Sequence, residues 1–290
     1  MAIMSAKKKR RIILSSCLIA VLLILVAWTV WGNTALELNT YTVSSKRLPV
    51  AFDGYRIAHI SDLHNAQMGN ENENILSLLK MAHPDIIAIT GDIIDSRNTK
   101  TEVAIRFAKE AMKIAPCYYV SGNHEARVSE YDELKRSLTE LGVIVLEDES
   151  LELKRSGEAI TLLGVDDPSF HTDYLFGDSA SVMRYKLQKL TDEKDTYTVL
   201  LSHRPELFDV YKEYNIDLVL SGHAHGGQFR FLLVGGLVAP NQGLFPKYDA
   251  GLYTEQGTNM IVSRGIGNSI LPFRFNNRPE VILIELKTAR

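Results

Sequence analysis

The stretch Ser-Gly-His-Ala-His-Gly-Gly-Gln, residues 221–228, directly follows a short apolar run that is typical of a buried strand. Its two histidines, His223 and His225, stand one residue apart inside a frame of glycines, an arrangement with few structural uses. Neutral imidazole is a common ligand of divalent metals, and Gly222 lets the backbone turn tightly as the strand ends. The stretch therefore predicts a metal site at the carboxyl end of a strand.

Four more polar clusters stand directly after apolar runs elsewhere in the chain. They are Ile-Ser-Asp-Leu-His at 60–64, Thr-Gly-Asp-Ile-Ile-Asp at 90–95, Ser-Gly-Asn-His-Glu at 121–125 and Leu-Ser-His at 201–203. Because ligands of open α/β sheets bind beyond the carboxyl ends of the strands, we expect all the clusters to converge on one site. Asp-x-His and His-x-His are expected to project both side chains from one side of an extended segment.

The types of ligand in these clusters indicate a pair of divalent ions. Carboxylate, imidazole and amide oxygen suit manganese, iron and zinc, and the choice among them depends on supply. Two ions about 3.5–4 Å apart can hold a bridging hydroxide and clamp a phosphoryl group during in-line attack. The clusters therefore predict a hydrolase that cleaves a phosphate ester or anhydride.

Strand and helix patterns alternate through the first half of this region, which predicts a parallel or mixed sheet with helices against it. The expected strands are 55–61, 85–90 and 117–121, and the expected helices are 72–82, 102–114 and 129–141. The pattern then becomes richer in strands. It contains a hairpin of 151–155 with 159–165, a helix at 179–190, strands at 196–202 and 217–221, and further strands within 251–286.

Residues 12–31 contain no charged side chain and directly follow five basic residues at 7–11. A helix of this length spans about 30 Å, the thickness of a bilayer core. The positive-inside rule keeps the basic segment 1–11 in the cytoplasm and places the rest of the chain on the far side of the membrane. We therefore expect a transmembrane helix at 12–31, a connector at 32–54 and one domain at 55–290.

A cleaved signal peptide is the main alternative, and it would export the domain. It fits less well because the apolar run is long and 28–33 has no clear small-residue cleavage pattern. A twin-arginine signal at Arg10 and Arg11 and a lipoprotein box ending at Cys17 are weaker matches.

Charge and cysteine content exclude several other classes of protein. The formal net charge is −3, and without the five basic residues at 7–11 it becomes −8, so the domain is a poor general binder of nucleic acid. Cys17 lies in the membrane stretch and Cys117 in the domain. This excludes a disulfide scaffold and a thiolate-rich metal site.

The order Asp-x-His, Gly-Asp-x-x-Asp, Gly-Asn-His-Glu, His and Gly-His-x-His resembles that of the calcineurin-like metallophosphoesterases. The resemblance covers about residues 56–286. The His-Gly-Gly-Gln ending at 225–228 and the stretches 244–253 and 263–265 are similar to the bacterial YaeI/YkuE-type branch, whose members are often membrane-associated or exported. The resemblance implies an α/β fold: a β-sandwich flanked by helices in four αββα layers, here preceded by one transmembrane helix.

The resemblance also implies a role for each motif residue. One divalent ion would be held by Asp62, His64, Asp92 and His225. Asp92 would bridge to a second ion, which would be held also by Asn123, His203 and His223. His124 would contact the phosphate and help the leaving oxygen depart, and Asp95 would orient or charge-stabilise that imidazole.

Three further residues have weaker expectations. His171 lies in a loop that can border the substrate. Arg264 and Arg274 can meet a phosphate, but the sequence favours solvated surface positions for both.

The main hypothesis is thus a membrane-anchored, dinuclear metal-dependent phosphoesterase, with phosphodiesters or phosphomonoesters as substrates. The predicted topology favours lipid-linked or cell-envelope phosphates over intracellular nucleotides. One alternative is a pyrophosphatase of lipid-linked nucleotide sugars, which would normally work on the cytoplasmic side. An alternative of another class is a non-catalytic metal-binding docking module, although such a protein would be expected to have lost His124 or a bridging ligand.

Overall fold

The computed structural model describes residues 6–171, 178–191, 195–269 and 271–289, so residues 1–5 of the predicted basic segment lie outside it. The α-helices in these ranges are α1 (Ala6–Thr34), α2 (Glu73–Ala82), α3 (Thr101–Ala111), α4 (Tyr131–Glu140), α5 (Ser179–Leu190) and α6 (Phe208–Tyr211). The strands are β1 (Glu37–Ser45), β2 (Arg56–Ile60), β3 (Ile86–Thr90), β4 (Cys117–Val120), β5 (Ile144–Val145), β6 (Glu149–Arg155), β7 (Glu158–Gly164), β8 (Thr198–Leu201), β9 (Leu218–Ser221), β10 (Arg230–Phe231), β11 (Gly235–Gly236), β12 (Val238–Ala239), β13 (Gly243–Leu244), β14 (Gly251–Glu255), β15 (Thr258–Val262) and β16 (Glu280–Thr288).

The first sheet contains the strands that alternate with helices along the chain. Its order is β1-β16-β2-β3-β4-β5. Strands β2 to β5 are parallel to one another, whereas β16 runs antiparallel to β2 and parallel to β1. The carboxyl ends of β2, β3 and β4 therefore meet at one edge, and the predicted mixed sheet is confirmed.

The second sheet has the order β14-β15-β9-β8-β7-β6. Strands β7, β8, β9 and β15 are parallel, and the predicted hairpin of β6 and β7 closes between Arg155 and Glu158. Two short hairpins, β10 with β11 and β12 with β13, lie outside both sheets. They connect the end of β9 to β14.

The two sheets pack face to face, with helices on both outer sides. Ile57 and Val120 of the first sheet belong to the same buried core as Leu162 and Leu220 of the second. A second core joins the first sheet to α2, α3 and α4, and a third joins the second sheet to α5 and α6. This is the four-layer αββα sandwich that the resemblance implies. Removing apolar side chains from water on both faces of each sheet is its main stabilisation.

The amino-terminal region differs from the prediction in two respects. Helix α1 begins at Ala6, so the described basic residues are part of the helix rather than a separate segment. Residues 32–54 are not simply a connector, because β1 pairs in parallel with β16 along its whole length. Strand β1 is an edge strand whose side chains are mostly half-buried or exposed, and its polar composition hid it from the sequence.

Candidate metal centre

The five polar clusters meet at one edge of the sandwich, as predicted. Three of them follow β2, β3 and β4 of the first sheet, and two follow β8 and β9 of the second. The loops are bonded to one another: the backbone N–H of Asp62 donates to the carbonyl of Gly91, and the N–H of His223 donates to both carboxylate oxygens of Asp62 at 3.0–3.1 Å. All the predicted ligands are buried there, namely Asp62, His64, Asp92, Asn123, His203, His223 and His225.

Asp62, His64 and His225 form one group of ligand atoms. The Nε2 atom of His225 lies 3.4 Å from Asp62 Oδ1 and 3.2 Å from Nε2 of His64. One potential ligand atom from each residue lies within 4.8 Å of the others. Two imidazole nitrogens and a carboxylate oxygen therefore face a common point.

Asp92, His203 and His223 form a second group of the same kind. The Nε2 atom of His203 lies 3.1 Å from Asp92 Oδ2 and 3.1 Å from Nδ1 of His223. The same Asp92 Oδ2 atom is 3.6 Å from His64 Nε2, so this carboxylate lies between the two groups. Among the described residues, no hydrogen-bond partner reaches the buried Oδ1 atom of Asn123.

The chemistry of this donor set fits divalent cations. Nδ1 of His203 is 2.7 Å from the carbonyl oxygen of Thr90 and donates to it, which directs Nε2 towards Asp92. Burial lowers the pKa of His225 to about 3, so this ring is neutral, as a ligand must be. Burial alone would lower the pKa of His203 too, but the adjacent Asp92 carboxylate raises it to about 10. The raised pKa shows that the Asp92 carboxylate stabilises positive charge beside it, where a metal cation would be bound.

The ligand-bearing turns are not extended, which corrects the expectation for Asp-x-His and His-x-His. The φ angles of Asp62, His64, His223 and His225 lie between 45° and 64°, in the left-handed region. Asp and His tolerate this region better than most residues, and such strain concentrates at functional sites. Gly222 has a separate constraint, because a Cβ atom there would collide with the carboxylate of Asp62.

Comparison with known proteins agrees with this geometry. The family model described as "Calcineurin-like phosphoesterase" matches residues 55–227, more than half of the chain. This chain is a calcineurin-like phosphoesterase. The fold, the ligand-rich edge and the family together define a metal-dependent hydrolase that acts on phosphate ester bonds.

Several relatives of this phosphoesterase match over most of its length. It is 29% identical to the uncharacterized metallophosphoesterase YkuE of Bacillus subtilis over 87% of this chain and 86% of that protein. It is 26% identical to the phosphodiesterase YaeI of Escherichia coli over 80% of this chain and 82% of that protein. A transmembrane protein with metallophosphoesterase domain from Danio rerio is 26% identical over 84% of this chain and 56% of the relative.

A cavity of about 370 Å³ opens beside the metal centre of the phosphoesterase. His124, a residue predicted to be catalytic, lines it. Nδ1 of His124 accepts a hydrogen bond from the backbone N–H of Ser96 at 3.0 Å, so the proton of the neutral ring is on Nε2. Burial lowers the pKa of this imidazole.

Asp95 does not hold His124 through a short hydrogen bond. Its Oδ1 atom is 3.5 Å from Nδ1, which already accepts from Ser96. Although partial burial would raise the pKa of Asp95, two hydrogen bonds from the Arg97 side chain contribute to lowering it to about 2, so the carboxylate is ionised. Asp95 therefore acts on the ring through its charge. The directional hydrogen bond to the ring comes from the N–H of Ser96.

Arg204 is a residue of this site that the sequence analysis missed. It directly follows His203, is buried, and lines the cavity. Its guanidinium makes two parallel hydrogen bonds to Asp167 at 2.6 and 2.8 Å, and its Nη1 atom lies 3.3 Å from Nε2 of His223. A cation next to a predicted ligand was a visible signal in the sequence, whereas its pairing with the distant Asp167 was not.

The expectation for Arg264 and Arg274 was wrong. Arg274 is among the largest fully buried side chains and donates to the carbonyl oxygens of Arg264 and Gly267. Arg264 pairs with Glu37 and Glu280. Carboxylates from distant segments pair with Arg264, and carbonyl oxygens accept from both Nη groups of Arg274, whose buried Nε has no hydrogen-bond partner among the described residues.

His171 is exposed and lies 3.5 Å from Asp166, whereas Ser169 of the same loop lines the cavity. The loop therefore borders the site through Ser169.

Proposed function

We propose that this phosphoesterase is a membrane-anchored enzyme that uses two divalent ions to hydrolyse phosphodiesters or phosphomonoesters. The observation that carries the proposal is the position of Asp92. Its carboxylate belongs to one buried group of ligand atoms and lies within 3.6 Å of the other, where a bridging ligand would be needed.

Each ion has its own set of ligands in this proposal. The first would be held by Asp62, His64, Asp92 and His225. The second would be held by Asp92, Asn123, His203 and His223. Manganese, iron and zinc all suit these atoms. When bound, the ions supply an activated water and stabilise the charge that develops on the phosphoryl group.

The side chains that line the cavity complete the reaction. The Nε2–H group of His124 lines the cavity and donates a hydrogen bond that stabilises the negative charge developing on the leaving oxygen, because Nδ1 is occupied by the N–H of Ser96. The departing oxygen then takes its proton from water. Burial lowers the pKa of the His124 ring, and the ionised Asp95, 3.5 Å from Nδ1, acts in the opposite direction. The guanidinium of Arg204, fixed by Asp167, attracts the phosphoryl oxygens.

Helix α1 supports anchoring in a membrane. It has 29 residues, and none of its most apolar part is buried against the domain. The basic residues at its start favour a cytoplasmic amino terminus, and hence an extracytoplasmic metal centre. The Danio rerio relative is named as a transmembrane protein with a domain of the same type.

The test uses the full chain, purified in detergent and stripped of metal. We expect it to bind two Mn²⁺ or Zn²⁺ ions and then to hydrolyse bis-p-nitrophenyl phosphate or p-nitrophenyl phosphate. Asp92→Asn should abolish turnover and weaken the binding of both ions. Asp209→Asn, at an exposed carboxylate, is the matched control and should do neither.

Two results would contradict the proposal. A folded, metal-loaded chain that cleaves neither ester would favour the non-catalytic docking module. A stoichiometry of one ion in the active enzyme would remove the dinuclear mechanism.

A further inference from the structure

Two segments near the metal centre carry most of the exposed large apolar side chains of the domain. Outside α1, the described residues include fourteen such side chains, and nine of them lie within 231–245 and 271–273. We call these nine the apolar rim. At the tip of the β10–β11 hairpin, Leu232 is 86% exposed and Leu233 is 99% exposed. Adjacent apolar residues at such a tip are unfavourable in water and indicate a contact surface.

The apolar rim is connected to the end of the membrane helix. The side chain of Asn33, in the last turn of α1, accepts from the backbone N–H of Arg274 at 2.7 Å and donates to the Arg274 carbonyl at 2.8 Å. The guanidinium of Arg278 lies 4.6 Å from the centre of the Trp31 ring. A tryptophan at this end of the apolar stretch is typical of the membrane interface. The segment that carries part of the rim is therefore held at the level of the membrane surface.

The two parts of the rim are also bound to each other. The N–H of Arg230 donates to the carbonyl of Phe275 at 3.0 Å, and the rings of Phe229 and Phe273 are 5.4 Å apart. Only two residues separate α1 from β1, so the domain cannot move far from the bilayer. The rim and the helix end consequently lie on the same side of the domain.

An apolar cavity leads from the rim to the metal centre. It has a volume of about 280 Å³ and is lined by Val238 and Leu271 of the rim and by Ala224 next to the metal ligands. His225 and Pro240 line both this cavity and the one beside the metal centre, so the two adjoin. An apolar chain that enters between the rim residues therefore reaches the ligand His225.

We propose that the substrate is a phosphate ester of a membrane lipid, an inference that rests on the proposed function and names its substrate class. The rim lies among the acyl chains, the hydrocarbon part of the substrate occupies the apolar cavity, and the phosphoryl group meets the metal centre. Transfer of the rim from water into the bilayer is favourable, and it places the cavity mouth where a lipid can enter without crossing water.

The activity test compares two esters with the same reacting group. Metal-loaded full chain in phosphatidylglycerol–phosphatidylethanolamine nanodiscs receives methyl p-nitrophenyl phosphate or hexadecyl p-nitrophenyl phosphate. Because even one methylene in an apolar site changes kcat/KM at least about tenfold, we expect a preference of that size or more for the hexadecyl ester. Leu232→Glu/Leu233→Glu should remove most of this preference and leave hydrolysis of the methyl ester unchanged. Val50→Glu is the matched control.

Val50 suits this purpose because it is 76% exposed and follows β1. A strand of nine residues carries the chain about 30 Å away from the end of α1. A charge at Val50 should therefore change neither rate. Val238→Trp, which narrows the cavity, should also reduce the preference for the long chain.

A second measurement detects insertion without catalysis. Leu233→Cys in a Cys17→Ser background is labelled with bimane in the same nanodiscs, with Val50→Cys as its control. Nitroxide lipids should quench the label at 233 and not the label at 50. Cys117 is buried and should not react.

The outcomes separate the two proposals. Hydrolysis of the methyl ester with no preference for the hexadecyl ester, or a preference that persists in Leu232→Glu/Leu233→Glu, overturns the lipid substrate and leaves the proposed function standing. An unquenched label at 233 would show that the rim does not enter the bilayer. This overturns the proposed insertion and indicates that the rim contacts a protein partner. Hydrolysis of neither ester, with no hydrolysis of p-nitrophenyl phosphate either, with any metal overturns the proposed function itself, and the substrate class with it.

Discussion

The carboxylate of Glu125 supports the loops that carry the metal ligands. It is fully buried, and its Oε2 atom accepts from the backbone N–H groups of Gly122 at 2.6 Å and Asp92 at 2.8 Å. Its Oε1 atom accepts from Ile94 at 3.2 Å. Burial, with Asp92 nearby, raises the pKa of Glu125 to about 7, so the ionised form is held at a cost in free energy. Glu125 therefore stabilises these loops mainly by accepting hydrogen bonds from the three N–H groups, and not by its charge.

Glu125→Gln and Glu125→Ala distinguish these two effects. In the Gln variant, the side-chain carbonyl can still accept hydrogen bonds from the N–H groups of Gly122 and Asp92. The hydrogen bond from Ile94 is lost, but its loss is offset because the substitution also removes a buried charge. The Ala variant leaves two more N–H groups unsatisfied, at about 1–3 kcal/mol each, so it should be about 2–6 kcal/mol less stable than the Gln variant.

The assay is thermal unfolding of the metal-free full chain in detergent above pH 7. In a domain of this size 1 kcal/mol corresponds to about 2–4 °C, so Glu125→Ala should melt at least about 4 °C below Glu125→Gln. Equal melting temperatures for the two variants would refute the argument that the unsatisfied N–H groups determine the difference in stability. If these two equal temperatures also lie well below that of the unsubstituted chain, the charge itself is essential.

Three other substitutions test separate parts of the site. His124→Ala should lower kcat by about 10²–10³ while both ions stay bound, and His171→Ala, at an exposed histidine, should change neither quantity. Gly222→Ala should lose metal and melt at a lower temperature, because its Cβ collides with the carboxylate of Asp62; full metal content would contradict this. Arg204→Lys should raise KM about tenfold with a smaller change in kcat, since lysine cannot reproduce the two parallel bonds that fix this cation; an unchanged KM would exclude contact with substrate.

The sequence patterns predicted a mixed sheet flanked by helices and the meeting of the ligand clusters because both depend on local signals, whereas the two-sheet sandwich was implied by the family resemblance. Buried parallel strands are short continuous apolar runs, and β3 and β9 have that form. Polar residues that follow such runs must meet at one edge of a sheet. Residue type indicated the kinds of ligand atom, and the assignment of each residue to an ion came from the family resemblance.

Other features depend on segments that meet only in the folded chain. The sign of φ at His64 or His225 is set by hydrogen bonds between loops, such as the one from the N–H of His64 to the carbonyl of Asp92. Arg274 stands between Phe273 and Phe275 in the sequence, but the carbonyls of 264 and 267 that accept from its buried guanidinium are brought to it only by the fold. Strand β1 has too few apolar residues to be recognised before β16 is placed beside it.

The contacts of the helix end bear on whether α1 is retained. A segment that is removed after export has no reason to hold the mature domain together. Yet Asn33 makes two hydrogen bonds to the backbone of Arg274, and Trp31 packs against Arg278. The guanidinium of Arg274 in turn lies 3.5 Å from Nδ1 of His225. The helix end thus supports the residue that lies behind a metal ligand. This connection favours a permanent anchor over a cleaved signal, and in the proposed arrangement it keeps the candidate metal centre close to the membrane.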